Sequence, residues 1–299
     1  MTAPHRDADV PALWRALGLP GLVDVHVHFL PPAMRRKVWA YFNRTRLPDG
    51  TPWPIIYREG DAAQVARLRG LGVRAFTALS YPHKPGMAAW LNAWARDFAA
   101  GVAECVPSAT FFPEPGADAE VAGALEAGVR AFKAHLQVGG YDPRDPLLVP
   151  VWRRLAAAGV PVVVHAGSAP EPGPFTGPGP FGEVLDANPD LTAVIAHMGG
   201  GEYAEFLRLA LRYERVHLDT TMVFTDFFNR LGPFPDDLLP VLAEHADRIV
   251  LGSDFPQIPY PYAHQLEALV RLGLGDDWLR AVCWRNGARL LGISGSAGR

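Results

Sequence analysis

The sequence has few of the features that mark a secreted, membrane-bound or nucleic-acid-binding protein. It has two cysteines in 299 residues, Cys105 and Cys283, and neither belongs to a metal-type cysteine cluster. A disulfide scaffold is therefore not expected, and a reducing cytoplasm suits the chain best. The 28 basic and 31 acidic residues leave a formal charge of −3, which provides no electrostatic attraction to nucleic acid or to an anionic membrane.

Long apolar runs are absent as well. No stretch approaches the length needed to cross a bilayer, and the first 21 residues contain no continuous apolar segment of the secretory kind. Hydrophobic residues nevertheless make up 49 % of the chain, which excludes a disordered protein. We therefore expect a soluble, cytoplasmic protein whose partner is a small-molecule substrate, with no nucleic acid and no membrane. A homodimer is left open.

What the chain does contain is a regular alternation of short β-branched runs with longer segments rich in Ala, Leu and Arg. The strand candidates are residues 22–28, 73–81, 105–113, 129–137, 160–167, 191–199, 215–221 and 248–256. Strands alternating with helices indicate βαβ units and a parallel sheet. Two of the predicted helices end at Gly128 and Gly159, as glycine commonly terminates a helix.

Eight such units in 299 residues predict an α/β fold, a (β/α)8 barrel. The alternative is an open doubly wound sheet, which is less favoured because no Gly-rich phosphate loop follows any early strand. No linker divides the chain, so we expect one domain over residues 1–299 with its core at about 22–292.

Polar side chains gather where the predicted strands end, the end at which such barrels place their chemistry. His26 and His28 point to one face because a strand has a period of two residues. A single such residue is usually structural, but the joint pattern is harder to explain as unrelated core choices. Imidazoles with one carboxylate suit zinc and similar divalent metals. The polar residues at or near these strand ends are His26, His28, Lys133, His135, Gln137, His165, His197 and Asp254.

These residues lie in segments that resemble the amidohydrolase superfamily, in particular its amidohydrolase-related branch. The resemblance rests on "DVHVH", "VVVHAG", "AVIAHMGG" and "VLGSDFP", and on the tail "VCWRNGARLLGI". It implies a (β/α)8 barrel with a catalytic metal. His26, His28 and His165 would be metal ligands, and Asp254 would bind the metal or accept a proton beside it. His197 would be catalytic, polarising a substrate carbonyl or moving a proton.

The resemblance implies one divalent metal, with Zn²⁺ preferred and Mn²⁺ or another divalent metal left open. Two metals would be present if Lys133 were carboxylated and bridged them; otherwise Lys133 is an amine that is ion-paired or contacts substrate. The activity expected is hydrolysis of an amide, lactone or ester bond by a metal-activated water. The alternative on the same site is non-oxidative decarboxylation of an aromatic or unsaturated carboxylic acid, and a non-catalytic metal-binding barrel is the third possibility.

Residues 29–62 form a long insertion after the first strand, predicted to cover the barrel mouth. Loops of this length are often functional, and Arg matches carboxylates, although these side chains could equally pack the insertion or face water. In the strand 215–221, Asp219 is expected to orient a ligand histidine or to be an interior structural acid. Candidate substrate contacts are His135, Arg44, Arg46, Tyr57, Arg58 and His83.

Overall fold

The computed structural model describes residues 2–293, so residue 1 and residues 294–299 of the predicted domain lie outside the described residues. Each of the eight predicted runs contains strand structure. The run 105–113 is divided at Pro107, which has no N–H to donate to a neighbouring strand. The strands are β1 Leu22–Asp24, β2 Val73–Thr77, β3 Cys105–Val106, β4 Ser108–Thr110, β5 Ala131–His135, β6 Val162–His165, β7 Ala193–Ile195, β8 Val216–Asp219 and β9 Ile249–Val250.

Helices lie between the strands, as the alternation predicts. Gly128 and Gly159 follow two of them with positive φ angles of 86° and 64°, the left-handed geometry that ends a helix. None of the described helices has the length and apolar character needed to cross a membrane. The α-helices are α1 Val10–Ala16, α2 Pro32–Phe42, α3 Asp61–Leu71, α4 Ala88–Ala100, α5 Ala117–Glu126, α6 Leu136–Gly139, α7 Val149–Ala158, α8 Pro178–Ala187, α9 Tyr203–Arg212, α10 Leu239–Glu244, α11 Tyr262–Arg271, α12 Asp276–Arg280 and α13 Asn286–Leu290.

The chain divides into two compact units, and the first comprises residues up to Phe76 and from Thr220 onward. In this unit β1 pairs in parallel with β2, with Leu22 opposite Val73. Beyond β1 the backbone runs alongside residues 251–255. The N–H of Val25 donates to the carbonyl of Leu251 at 2.9 Å, and the N–H of His28 donates to the carbonyl of Phe255 at 2.8 Å. This pairing brings the residues after β1 beside those after β9.

The second unit comprises residues from Thr77 to Asp219. Its strands β4, β5, β6, β7 and β8 form a parallel sheet in sequence order. Buried aromatic rings fill its interior: Trp152 lies 5.1 Å from Phe111 and 6.0 Å from Phe181, measured between ring centroids. His135 pairs with His165 across β5 and β6, so both side chains stand at the same level of the sheet.

The segment 29–62, expected as a loop, contains the eleven-residue helix α2. The rest of it packs within the first unit. The Trp53 indole N–H donates to the carbonyl of Gln257 at 2.9 Å, and its ring lies 4.9 Å from that of Phe227. The N–H of Ile56 donates to the carbonyl of Ile258 at 3.2 Å. The segment therefore packs against the residues that follow Asp254, while its description as an insertion covering the mouth stays a prediction.

Candidate functional site

The first unit brings two imidazoles and one carboxylate together. Asp254 Oδ1 lies 2.9 Å from His28 Nε2 and 3.5 Å from His26 Nε2. One ligand atom from each of the three residues lies within 4.8 Å of the others. The two imidazoles are almost completely buried, whereas the Asp254 side chain is 13 % exposed. We call these three residues the His–His–Asp cluster.

The backbone pairing described above builds this cluster. The N–H of Asp254 donates to the carbonyl of His26 at 2.9 Å, so the carboxylate is carried to the imidazoles by main-chain geometry. Asp254 adopts a φ of +67°, which is unusual for a residue with a side chain. Such strain is found preferentially at functional sites, where the surrounding structure maintains it. Here the N–H of Gln257 donates to the Asp254 carbonyl at 2.8 Å and closes the turn.

Asp24 and Thr221 hold His26, and Tyr262 in turn bonds to Asp24. The carboxylate of Asp24 accepts the His26 N–H at 3.1 Å and the Tyr262 hydroxyl at 2.8 Å. Burial and the Asp24 carboxylate raise the pKa of Tyr262, so its hydroxyl remains a donor. On the ring, His26 Nδ1 lies 3.1 Å from the hydroxyl of Thr221. His26 is thus anchored through both its main chain and its imidazole.

The second unit brings three imidazoles into contact, those of His135, His165 and His197, which we call the imidazole cluster. The rings of His135 and His165 are nearly parallel, with centroids 4.1 Å apart and an interplanar angle of 9°. The ring of His197 meets that of His165 edge to face at 4.8 Å. Because a carbonyl only accepts, the 3.0 Å contact from His165 Nε2 to the carbonyl of Ala169 puts a hydrogen on Nε2. A neutral His165 therefore carries the ring's electron pair on Nδ1.

The backbone around His197 is unusual and is stabilised by its neighbours. His197 and Met198 have φ angles of 54° and 51°, and both follow β7 rather than lying in it. The carboxylate of Asp219 accepts the His197 N–H at 2.8 Å. This contact agrees with Asp219 as an interior structural acid, since it fixes the main chain of His197; the role of orienting a ligand histidine through its ring stays a prediction. A side chain at Gly167 would also collide with this turn, because its Cβ would lie 2.7 Å from the carbonyl carbon of Gly199.

Lys133 and His83 are the remaining predicted residues of the second unit, and His135 makes further contacts beyond the imidazole cluster. Lys133 is completely buried in β5, and its main-chain carbonyl accepts from the Thr110 hydroxyl at 2.8 Å. His135 Nδ1 accepts the N–H of Val138 at 3.3 Å, and its ring also lies 4.6 Å from that of Tyr81. His83 is exposed after β2. Their predicted roles as bridging or substrate-binding residues stay predictions.

Three of the four candidate substrate contacts of the first unit make structural hydrogen bonds. The Tyr57 hydroxyl donates to Asp7 Oδ2 at 2.5 Å and accepts the N–H of Tyr262 at 2.7 Å. Arg46 and Arg58 are exposed and donate to carbonyls of their own segment, those of Thr45 and Ile55, both at 2.9 Å. Arg44 is also exposed. These contacts stabilise the segment itself, and substrate contact by any of the four stays a prediction.

The family to which this geometry belongs follows from a comparison with known proteins. A family model described as Amidohydrolase matches residues 23–293, which include the whole His–His–Asp cluster and the imidazole cluster. The chain belongs to the amidohydrolase family. A search of curated proteins gave no match.

Solved structures show which fold this amidohydrolase adopts. An uncharacterised TIM-barrel protein from Bordetella bronchiseptica is 18 % identical, with a TM-score of 0.70 over 91 % of this chain and 98 % of its own. A 5-carboxyvanillate decarboxylase from Sphingomonas paucimobilis is 14 % identical, with a TM-score of 0.64 over 92 % and 100 %. A probable 2-pyrone-4,6-dicarboxylic acid hydrolase from Acinetobacter baumannii is 14 % identical, with a TM-score of 0.61 over 91 % and 100 %. The predicted (β/α)8 barrel is confirmed.

Amidohydrolases are generally metal-dependent, and the residues of this amidohydrolase fit a divalent cation. The His–His–Asp cluster offers two imidazole nitrogens and one carboxylate oxygen, the donor types that zinc and similar metals accept. Donors held at about 2.0–2.2 Å from one cation lie roughly 3–4 Å apart. The measured separations of 2.9 and 3.5 Å within the cluster agree with this spacing. His165, predicted as a further ligand, lies in the other unit, and its role stays a prediction.

Proposed function

We propose that this amidohydrolase is a metal-dependent hydrolase that cleaves an amide, lactone or ester bond. The observation that carries the proposal is the His–His–Asp cluster, in which a buried pair of imidazoles faces one partly exposed carboxylate. His26, His28 and Asp254 would hold the cation. When bound, such a cation acts as a Lewis acid that lowers the pKa of water and polarises a carbonyl oxygen.

Asp254 has a second proposed role, as the group that moves a proton. Its carboxylate keeps a 13 % exposed surface while the imidazoles beside it are buried, so it is the member of the cluster that solvent and substrate reach most easily. A carboxylate so placed can accept the proton of the attacking water and return it to the leaving group. The backbone turn at Asp254 keeps the carboxylate in position between the two events.

His197 is proposed as the catalytic residue that stabilises negative charge on the substrate oxygen. Its main chain is fixed by the Asp219 carboxylate and its ring by the edge-to-face contact with His165. A preorganised donor of this kind needs no rearrangement when charge develops, which is what makes it effective. His165 is proposed as a further metal ligand, and Lys133 as a substrate contact or, if carboxylated, as a bridge between two metals.

The alternative is decarboxylation of an aromatic or unsaturated carboxylic acid on the same residues. It is favoured by the likeness to the 5-carboxyvanillate decarboxylase, which is as extensive as the likeness to the probable 2-pyrone-4,6-dicarboxylic acid hydrolase. Both names describe rings that carry carboxylates. We therefore propose a ring-containing carboxylic acid, or a lactone of one, as the first substrate class to examine.

One screen separates these reactions. The zinc-loaded protein is incubated with lactones, amides, esters and aromatic carboxylic acids, and both carbon dioxide release and new acid are measured. Hydrolysis predicts new acid without carbon dioxide, whereas decarboxylation predicts carbon dioxide with loss of a carboxylate. Cation binding with no turnover of any carbonyl compound would contradict both reactions and support a non-catalytic metal-binding barrel.

A further inference from the structure

We propose that Thr221 is a positioning residue that fixes which nitrogen of His26 faces the metal. The inference rests on the proposed function, because it concerns how the cation would be held. Thr221 is completely buried, and its Oγ1 lies 3.1 Å from His26 Nδ1. The opposite nitrogen, Nε2, is the one that faces Asp254.

The geometry of His26 divides its two ring nitrogens between different partners. The Nε2 atom is 3.5 Å from Asp254 Oδ1, at the outer limit of a hydrogen bond, whereas His28 Nε2 approaches the same oxygen to 2.9 Å. The contact of His26 Nδ1 with Thr221 is shorter, at 3.1 Å. Nδ1 therefore faces the Thr221 hydroxyl, whereas Nε2 faces the Asp254 carboxylate, which His28 Nε2 also approaches.

The chemistry of imidazole gives this division a consequence. A neutral imidazole carries one hydrogen, and the other nitrogen offers an electron pair. When Nδ1–H donates to the hydroxyl oxygen of Thr221, the electron pair is on Nε2 and is available to a cation. A histidine that binds metal commonly donates its second ring N–H to an oxygen that fixes its tautomer and orientation. Thr221 supplies that oxygen here.

The main chain of His26 is fixed by hydrogen bonds, so only the rotation and the tautomer of its ring can still change. Its N–H is bonded to Asp24 and its carbonyl accepts from Asp254, so the backbone position is set by the strand pairing. The Thr221 hydroxyl would oppose both rotation of the His26 ring and exchange of its tautomer. Losing the hydroxyl would leave a buried Nδ1–H without that partner in the metal-bound state, which would penalise metal binding.

The test compares zinc affinity among four proteins, measured by competition with a chromophoric chelator. Thr221→Val keeps the shape of the side chain but removes the oxygen, and Thr221→Ser keeps the oxygen. Thr225→Val is the matched control, because Thr225 is also completely buried and its hydroxyl bonds to the main chain of Met222 and Phe228. We expect Thr221→Val to bind zinc about 10- to 100-fold more weakly than the wild type. Thr221→Ser and Thr225→Val should bind close to the wild type.

Two additional measurements separate positioning from simple loss of stability. The melting temperatures of the metal-free variants report the structural effect, which Thr221→Val and Thr225→Val should share. Imidazole ¹⁵N spectra of the zinc-loaded wild type should show a hydrogen on His26 Nδ1. Equal zinc affinity for Thr221→Val and the wild type, equal weakening in Thr221→Ser, or zinc bound through His26 Nδ1 would overturn the proposal. A wild type that binds no zinc would instead overturn the proposed function, and this inference with it.

Discussion

Replacing Tyr262 with Phe removes a single hydroxyl group that bonds to Asp24, the residue that holds His26 in the proposed metal site. The hydroxyl donates to Asp24 Oδ2 at 2.8 Å, and both residues are completely buried. The ring remains in Tyr262→Phe, so the main loss is one hydrogen bond to a charged acceptor. Such a bond contributes about 1.5–3 kcal/mol, and we expect the free energy of unfolding to fall by about 2 kcal/mol.

Urea denaturation of the metal-free protein measures this change. Tyr41→Phe is the control, since Tyr41 is 52 % exposed and a surface substitution usually changes stability by less than about 0.5 kcal/mol. Because Asp24 also accepts the His26 N–H, Tyr262→Phe should weaken zinc binding as well. The same small loss of stability in Tyr262→Phe and Tyr41→Phe would mean that the bond from Tyr262 to Asp24 contributes little to folding.

Three further predictions concern the turn at His197 and the buried tyrosines. Gly167→Ala should lower the free energy of unfolding by about 1–3 kcal/mol in a denaturation experiment, because its Cβ would lie 2.8 Å from the carbonyl oxygen of Gly200. Gly179→Ala is the control and should leave the free energy of unfolding nearly unchanged, because the space around Gly179 is open. Burial raises the pKa of Tyr260, so above about pH 10 the unfolded chain loses this proton before the folded protein does, and the free energy of unfolding should fall. Tyr260→Phe should make this decline shallower by up to about 1.4 kcal/mol per pH unit. Once a substrate is known, His197→Asn should lower turnover by about a hundredfold or more with unchanged metal content.

Each of these three predictions has a result that would contradict it. Equal stability of the two alanine variants would mean that the Gly167 turn relaxes without cost. An alkaline stability profile that Tyr260→Phe leaves unchanged would mean that Tyr260 titrates normally in the folded protein. Normal turnover in His197→Asn would remove His197 from the mechanism, and loss of metal would make it a ligand.

Local patterns in the sequence were sufficient to predict the parts of the site that depend on strand periodicity. His26 and His28 are two residues apart, so their side chains share a face, and the structure brings both to one carboxylate oxygen. The eight strands and the helix ends at Gly128 and Gly159 could be predicted as well, because each depends on residues that are neighbours in the sequence. The proximity of Asp254 was expected only through the order of the strands and the family resemblance.

The hydrogen bonds that hold the site residues in place join distant parts of the sequence, and local sequence patterns do not predict them. The Tyr262 hydroxyl reaches Asp24 across 238 residues of sequence, and Thr221 reaches His26 across 195. The turn at Asp254 also includes a long-range bond, from its own N–H to the carbonyl of His26. The segment 29–62 is expected to be a long loop after the first strand, and its aromatic and arginine content suggests a substrate role. The helix α2 lies within it and begins at Pro32 without a side-chain N-cap.

The proposed function requires that the His–His–Asp cluster binds a divalent cation. The most direct measurement is the zinc content of the wild type and of His28→Asn, each loaded with excess zinc, dialysed and analysed for metal. Thr225→Val is carried through the same procedure as a folded control. We predict about one firmly held cation per chain in the wild type and in the control, and strong loss in His28→Asn because one of three donors is removed. Full metal content in His28→Asn, or none in the wild type, would contradict the account.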